Sequence, residues 1–138
     1  MNESDVIRAL QGGVVAAVAQ SDQPTLPVAY LDVAFTKPDR REWLEVVWVP
    51  NNVTGDLWGG GERTYRGLLR LILHWPNVAG GIYRRLDLLD SIARYFVKGL
   101  DLGGVQIYEE PDLTGVIAEG NETLYPVSIR YQSHRKGT

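Results

Sequence analysis

Cysteine is absent from the chain's 138 residues, which excludes a disulfide framework and any thiolate-built metal centre. Histidine is scarce. His74 and His134 are too few for most imidazole-built sites, and neither has a His, Cys or acid at ligand or triad spacing. No apolar run approaches the ~20 residues of a membrane-spanning helix. The opening Met1-Asn2-Glu3-Ser4-Asp5 is acidic where a secretory leader would be basic, so synthesis in the cytoplasm without membrane attachment is expected. A basic excess is missing too. Lys and Arg number 14 against 17 Asp and Glu, a net charge of −3, which argues against general nucleic-acid affinity because such binding rests on neutralising phosphates. Only 2 Phe accompany 4 Trp and 7 Tyr, the aromatics favoured where surfaces are half buried or meet partners.

The length fits one domain over 1–138, enough to bury roughly two-thirds of the unfolded surface. The ordered part is expected over 4–132, with a frayed polar tail over 133–138. From a cap at Asn2 or Ser4, the apolar residues Ile7, Leu10, Val14 and Val18 recur at helical spacing, predicting a helix to about Gln20. Gly12-Gly13 weakens that helix unless close packing or a bend requires it. Alternation predicts strands over Val28 to Phe35 and Glu42 to Val49, the second closed by Pro50. Asn51 to Arg63 then reads as a long glycine-containing loop, of a length more often functional than merely connective, with Trp58 as its aromatic anchor.

From Tyr65 to Gly99 the hydrophobic period changes from two to near 3.6 across Pro76-Asn77 and Gly80-Gly81. A strand over Tyr65 to Trp75 hands over to a helix with Ile82, Leu86, Leu89, Ala93 and Phe96 on one stripe. Further strands are predicted over Gly103 to Glu110 and Thr123 to Tyr131. The order α-β-β-β-α-β-β implies an α+β fold: one mostly antiparallel sheet of about five strands with two helices on one face. Leu69, Leu71 and Leu73 mark the core side. The opposite side carries Arg66, Leu68, Arg70, Ile72 and His74, with Ser128 and Arg130 in the same sense, too polar for a core and too apolar for a solvent surface. These residues, with Trp58 and Arg63 of the loop, form the candidate assembly interface.

Catalytic motifs fail on inspection. Trp58-Gly59-Gly60-Gly61-Glu62-Arg63 precedes a strand and has no following Lys-Ser/Thr, unlike a phosphate loop. Gly80-Gly81 reads as a turn. Pro38-Asp39 with Glu45 suggests a metal-dependent nuclease, but Val47 stands where its lysine should be, and Pro111-Asp112 with Glu119 fails likewise at Asn121. Arg84, Asp87, Asp90 and Arg94 read as the ion-paired solvent face of the second helix. The chain is expected not to be an enzyme and to carry no metal or cofactor.

The first helix, Pro-Val-Ala-Tyr-Leu-Asp-Val-Ala-Phe at 27–35, Trp-Leu-Glu-Val-Val-Trp-Val-Pro at 43–50, the glycine loop, Tyr-Arg-Gly-Leu-Leu-Arg-Leu at 65–71 and Ile-Ala-Arg-Tyr-Phe-Val-Lys-Gly at 92–99, with two closing strands, span residues 4–132. In this pattern the chain resembles the tail-terminator, or tail-completion, proteins of long-tailed bacteriophages. The resemblance implies a structural virion protein whose subunits form a ring, commonly of six, that caps the tail tube and joins it to the head side. Implied partners are further copies, the tail tube protein and a head-tail connector protein, with DNA passing through unbound. A head-tail connector or minor tail role, or a monomeric ligand-binding domain, stays open beside it. A channel that releases DNA should avoid Lys and Arg, so the acidic residues Glu109, Glu110, Asp112, Glu119 and Glu122 are expected nearest the lumen.

Overall fold

The computed structural model describes residues 2–31, 33–55, 62–77 and 81–136. Asn2 caps the first helix, α1 (Glu3–Ala19). Its side chain accepts from the Asp5 N–H at 2.9 Å, and the Asp5 carboxylate accepts from the Asn2 N–H at 3.0 Å, so two otherwise free donors are satisfied reciprocally. Val6, Leu10, Val14 and Val18 face inward along one stripe. Gly13 is buried on that side, where an added Cβ would lie 3.0 Å from Phe96 Cε1. Gly12 faces open space.

Strand β1 (Val28–Ala29) is shorter than its alternation suggests and lies parallel to β2 (Trp43–Gly55). Beyond Ala29 the chain leaves the sheet, and the Leu31 N–H donates to the Gln11 side chain of α1 at 2.8 Å instead of to a strand. β2, in turn, outlasts its predicted end at Pro50. A proline there costs no sheet bond because β1 borders β2 only at Leu44 and Glu45, leaving Pro50 on an edge, and the register shifts between Pro50 and Val53 absorb the irregularity. The predicted loop therefore gives up 51–55 and 62–63 to strands, and the rest of it, Trp58 included, lies outside the described residues.

The sheet is built around two long partners, β3 (Glu62–Pro76) and β7 (Glu122–Lys136), antiparallel from Glu62 opposite Lys136 to Pro76 opposite Glu122. Residues 133–136 are thus strand and not a frayed end, because β3 offers them partners along its whole length. After α2 (Ile82–Ala93) and a 3-10 turn (Arg94–Phe96), three short strands, β4 (Val105–Ile107), β5 (Asp112–Leu113) and β6 (Ile117–Glu119), line the other edge of β7 in succession. The last two were not foreseen. Together the described strands form a seven-stranded mixed sheet with backbone order β1-β2-β3-β7-β4, an α+β fold.

Register explains the core. Leu44, Val46 and Trp48 of β2 stand opposite Leu73, Leu71 and Leu69 of β3, which stand opposite Tyr125, Val127 and Ile129 of β7. This face shares one hydrophobic cluster with α1 and with Leu88, Leu89, Ile92 and Phe96. The helix stripe is rotated slightly from its predicted line, since Ile82 is exposed and Leu88 and Ile92 are buried. Gly67 makes room for the Tyr131 ring, whose Cε2 would lie 2.8 Å from any Cβ there, and the Trp48 indole N–H donates to the Tyr131 hydroxyl at 2.7 Å.

Candidate interaction face

The second face of the sheet carries Trp43, Glu45, Val47 and Val49 of β2, the even-numbered residues 66–74 of β3, and Leu124, Pro126, Ser128, Arg130 and Gln132 of β7. No described helix covers it. The strand period alone brings Arg66, Leu68, Arg70, Ile72 and His74 together here, as the sequence predicts. Arg63 holds a β3 register position opposite Arg135 and Gly55.

At one end the connection between β1 and β2 folds over the face. Phe35 stacks on Trp43 at 5.0 Å, and Trp43 stacks on His74 at 3.8 Å with the rings 10° apart. His74, only 7 % exposed, places Nδ1 3.0 Å from Glu122 Oε1 and Nε2 2.8 Å from Glu45 Oε1. Both contacts are hydrogen bonds when both ring nitrogens carry protons. Lys37 closes the cluster, 3.3 Å from Glu122 Oε2. Burial pushes the Glu122 carboxyl up, but hydrogen bonds and positive charge from His74 and Lys37 outweigh it and hold the group below the usual carboxylate range. Sequence reasoning missed this cluster because its members lie 29 and 48 positions from His74. A strand register pairing Trp43 with His74 is the signal that would have found it.

At the other end Arg66 lies 5.1 Å over the Tyr108 ring, with its Nε 3.4 Å from Gln132 Oε1. Arg130 donates to Asp112 at 2.7 Å and has Glu109 at 3.7 Å, and the Asp112 bond and charge raise its pKa further. The five acidic residues singled out in the sequence have different partners. Glu109 and Asp112 serve Arg130, Glu122 serves His74 and Lys37, Glu110 accepts the Lys98 N–H at 3.2 Å, and Glu119 stands exposed on β6.

Between these ends Arg70 sits half buried, opposite Val47 of β2 and Ser128 of β7, with Leu68 and Ile72 on either side along β3. It makes no ion pair among the described residues, and its Nε is buried without a hydrogen-bond partner, as are Ser128 Oγ and Trp43 Nε1 on the same face. A guanidinium left so inside a largely apolar surround is chemistry for meeting a carboxylate or carbonyl, and Arg is among the residues that dominate protein interfaces. On α2, the ion pairs expected of Arg84 with Asp87 and of Asp90 with Arg94 do not form among the described residues. Gly81 is the N-cap of α2, without a side-chain cap bond, and Gly80 lies outside the described residues.

The fold thus defines a single-sheet α+β domain with helices on one face and a mixed, helix-free face on the other. Residues 5–131 match the family model described as phage tail terminator protein, nearly the whole chain, and the chain belongs to that family. It is accordingly a structural component of a phage tail. One solved structure shares the fold at a TM-score of 0.77 and 20 % identity, covering 100 % of this chain and 99 % of its own. No curated protein matches the sequence. No helix among the described residues is long and apolar enough to cross a membrane.

Proposed function

We propose that copies of this chain assemble into a ring, of six in the commonest arrangement, that caps the tail tube and joins it to the head side, with the helix-free sheet face as a contact surface. The observation that carries this reading is Arg70, a guanidinium without an ion pair among the described residues and with a buried, unpartnered Nε at the centre of a half-buried mixed face. A group so placed is stable enough alone, and gains a partner when another subunit or the tube protein covers it. Family membership supports the direction of the reading, since the family acts in the tail. Light scattering of the protein alone and with tail tube protein tests it. The expected result is weak self-association that is completed on the tube, and a strict monomer in both cases would overturn the ring and favour a ligand-binding domain.

The lumen in this reading lies along the β4–β7 edge, where Glu110 and Glu119 are the carboxylates not paired with a cation of the sheet face. Glu109, Asp112 and Glu122 contribute there mainly by cancelling Arg130 and Lys37. Either way the edge offers DNA phosphates little to grip.

A further inference from the structure

Away from the sheet's second face, α2 carries two complementary features in succession, one in its first turn and one along the turns that follow. At its start Ile82 is 49 % and Tyr83 81 % exposed, beside exposed Arg84. Further along, a groove of about 340 Å³ opens between α2 and β5, with Leu86, Leu89, Ala93 and Leu113 on its apolar wall and Asp87 and Asp90 on its rim. Neither aspartate makes an ion pair among the described residues. The helix thus presents an apolar, basic knob and an apolar groove with an acidic rim. The knob does not occupy its own groove: Leu86 and Asp87 begin the groove one turn beyond Tyr83, yet Tyr83 stands 81 % exposed.

We infer that α2 of one copy docks head to tail on the next, Tyr83 entering the neighbour's groove between α2 and β5 while Arg84 meets Asp87 and Asp90 on its rim. The occupant is a second copy because both halves of the match, in shape and in charge, are on this chain. A contact between two different patches leaves one of each free on every pair, so it propagates, and it closes into a ring when the rotation per step divides the circle. A two-fold pairing would consume both patches at once and stop at a dimer. One tyrosine and one isoleucine in a shallow groove fall short of the ~1,000 Å² expected of a stable interface, which fits association that is weak until the tube adds further contacts. The inference rests on the ring reading above and gives that ring its polarity.

The absence of cysteine makes disulfide trapping clean. Tyr83→Cys and Leu113→Cys, each alone, are expected to give no cross-link on oxidation, while the double variant gives a ladder of covalent oligomers, in the presence of tube protein if not alone. Arg84→Glu should raise the concentration for half-assembly by about two- to fivefold, the worth of an exposed ion pair. Adding Asp87→Arg and Asp90→Arg to it should reverse that loss of assembly without a matching recovery in urea unfolding of the monomer, the recovery that pairing of Arg84 with Asp87 along one helix would give. Assembly by light scattering without the ladder or the charge rescue would overturn this contact and leave the ring standing. A strict monomer with and without tube protein would overturn both, and a Tyr83→Cys homodimer would replace the head-to-tail contact with a two-fold one.

Discussion

Arg70 and Glu122 show opposite ways of handling charge on one sheet face. Arg70 has no anion among the described residues, so its guanidinium adds little to the stability of the isolated domain. Arg70→Leu is expected to leave stability unchanged or to raise it by about 1 kcal/mol, since a buried unpartnered Nε is removed, while weakening assembly. Urea unfolding beside light scattering checks both halves, and a large loss of stability would mark Arg70 as structural. Glu122, by contrast, is held below the ordinary carboxylate range by His74 and Lys37. Its folded pKa is thus lower than its unfolded one of about 4.3, so its stabilisation is present above that pH and disappears as pH falls through the folded value. Unfolding curves of the native protein and Glu122→Gln should differ near neutrality and converge in acid. Equal gaps at pH 6 and pH 3 would contradict this.

At the scale of elements, the adjacent glycines of α1 have different reasons to be there. Gly12 meets nothing within 4 Å, and replacing it with Ala should stabilise the helix by roughly 0.5 to 1 kcal/mol. Gly13 faces Phe96 and Leu102 at 3.0 and 3.1 Å, so Gly13→Ala must push one of them aside and should fall at least ~1 kcal/mol below Gly12→Ala in chemical denaturation. The same packing logic applies to α2. Leu89 is 3 % exposed in the core cluster, and Leu89→Asp would place an unpaired charge there, so loss of soluble, cooperative folding is expected. A variant that stayed cooperative by circular dichroism melts would show the cluster to be less continuous than its packing implies.

For the whole molecule, the distribution of charge bears on what could pass a ring of such subunits. The native protein should fail to retard duplex DNA at low salt. Reversing Glu109, Glu110 and Asp112 to Lys should create retention that fades as salt rises, amplified because Arg130 loses both its carboxylates. Tight binding by the unaltered protein would instead assign it a nucleic-acid function.

What the sequence determined by itself is everything that a local period can carry. Alternation in β3 decided that Leu69, Leu71 and Leu73 point inward and Arg66, Arg70 and His74 outward, and the 3.6 period placed α1 and α2. Strand lengths were decided elsewhere. β2 runs through Pro50 and β7 through residue 136 because β3 is long enough to pair with both, and no local signal reports a neighbour's length. Conversely, Tyr30, Leu31 and Val33 to Phe35 keep a strand-like pattern outside any strand, since Gln11 of α1 takes the Leu31 N–H. The same holds for partners. Glu45, His74 and Glu122 meet only through the β2–β3–β7 register, and the acidic residues between 109 and 122 are divided by tertiary contacts, Glu109 and Asp112 to Arg130 and Glu122 to His74 and Lys37. Periodicity states which way a side chain points. Which groups it meets depends on strands brought together across dozens of residues, and that only the folded sheet decides.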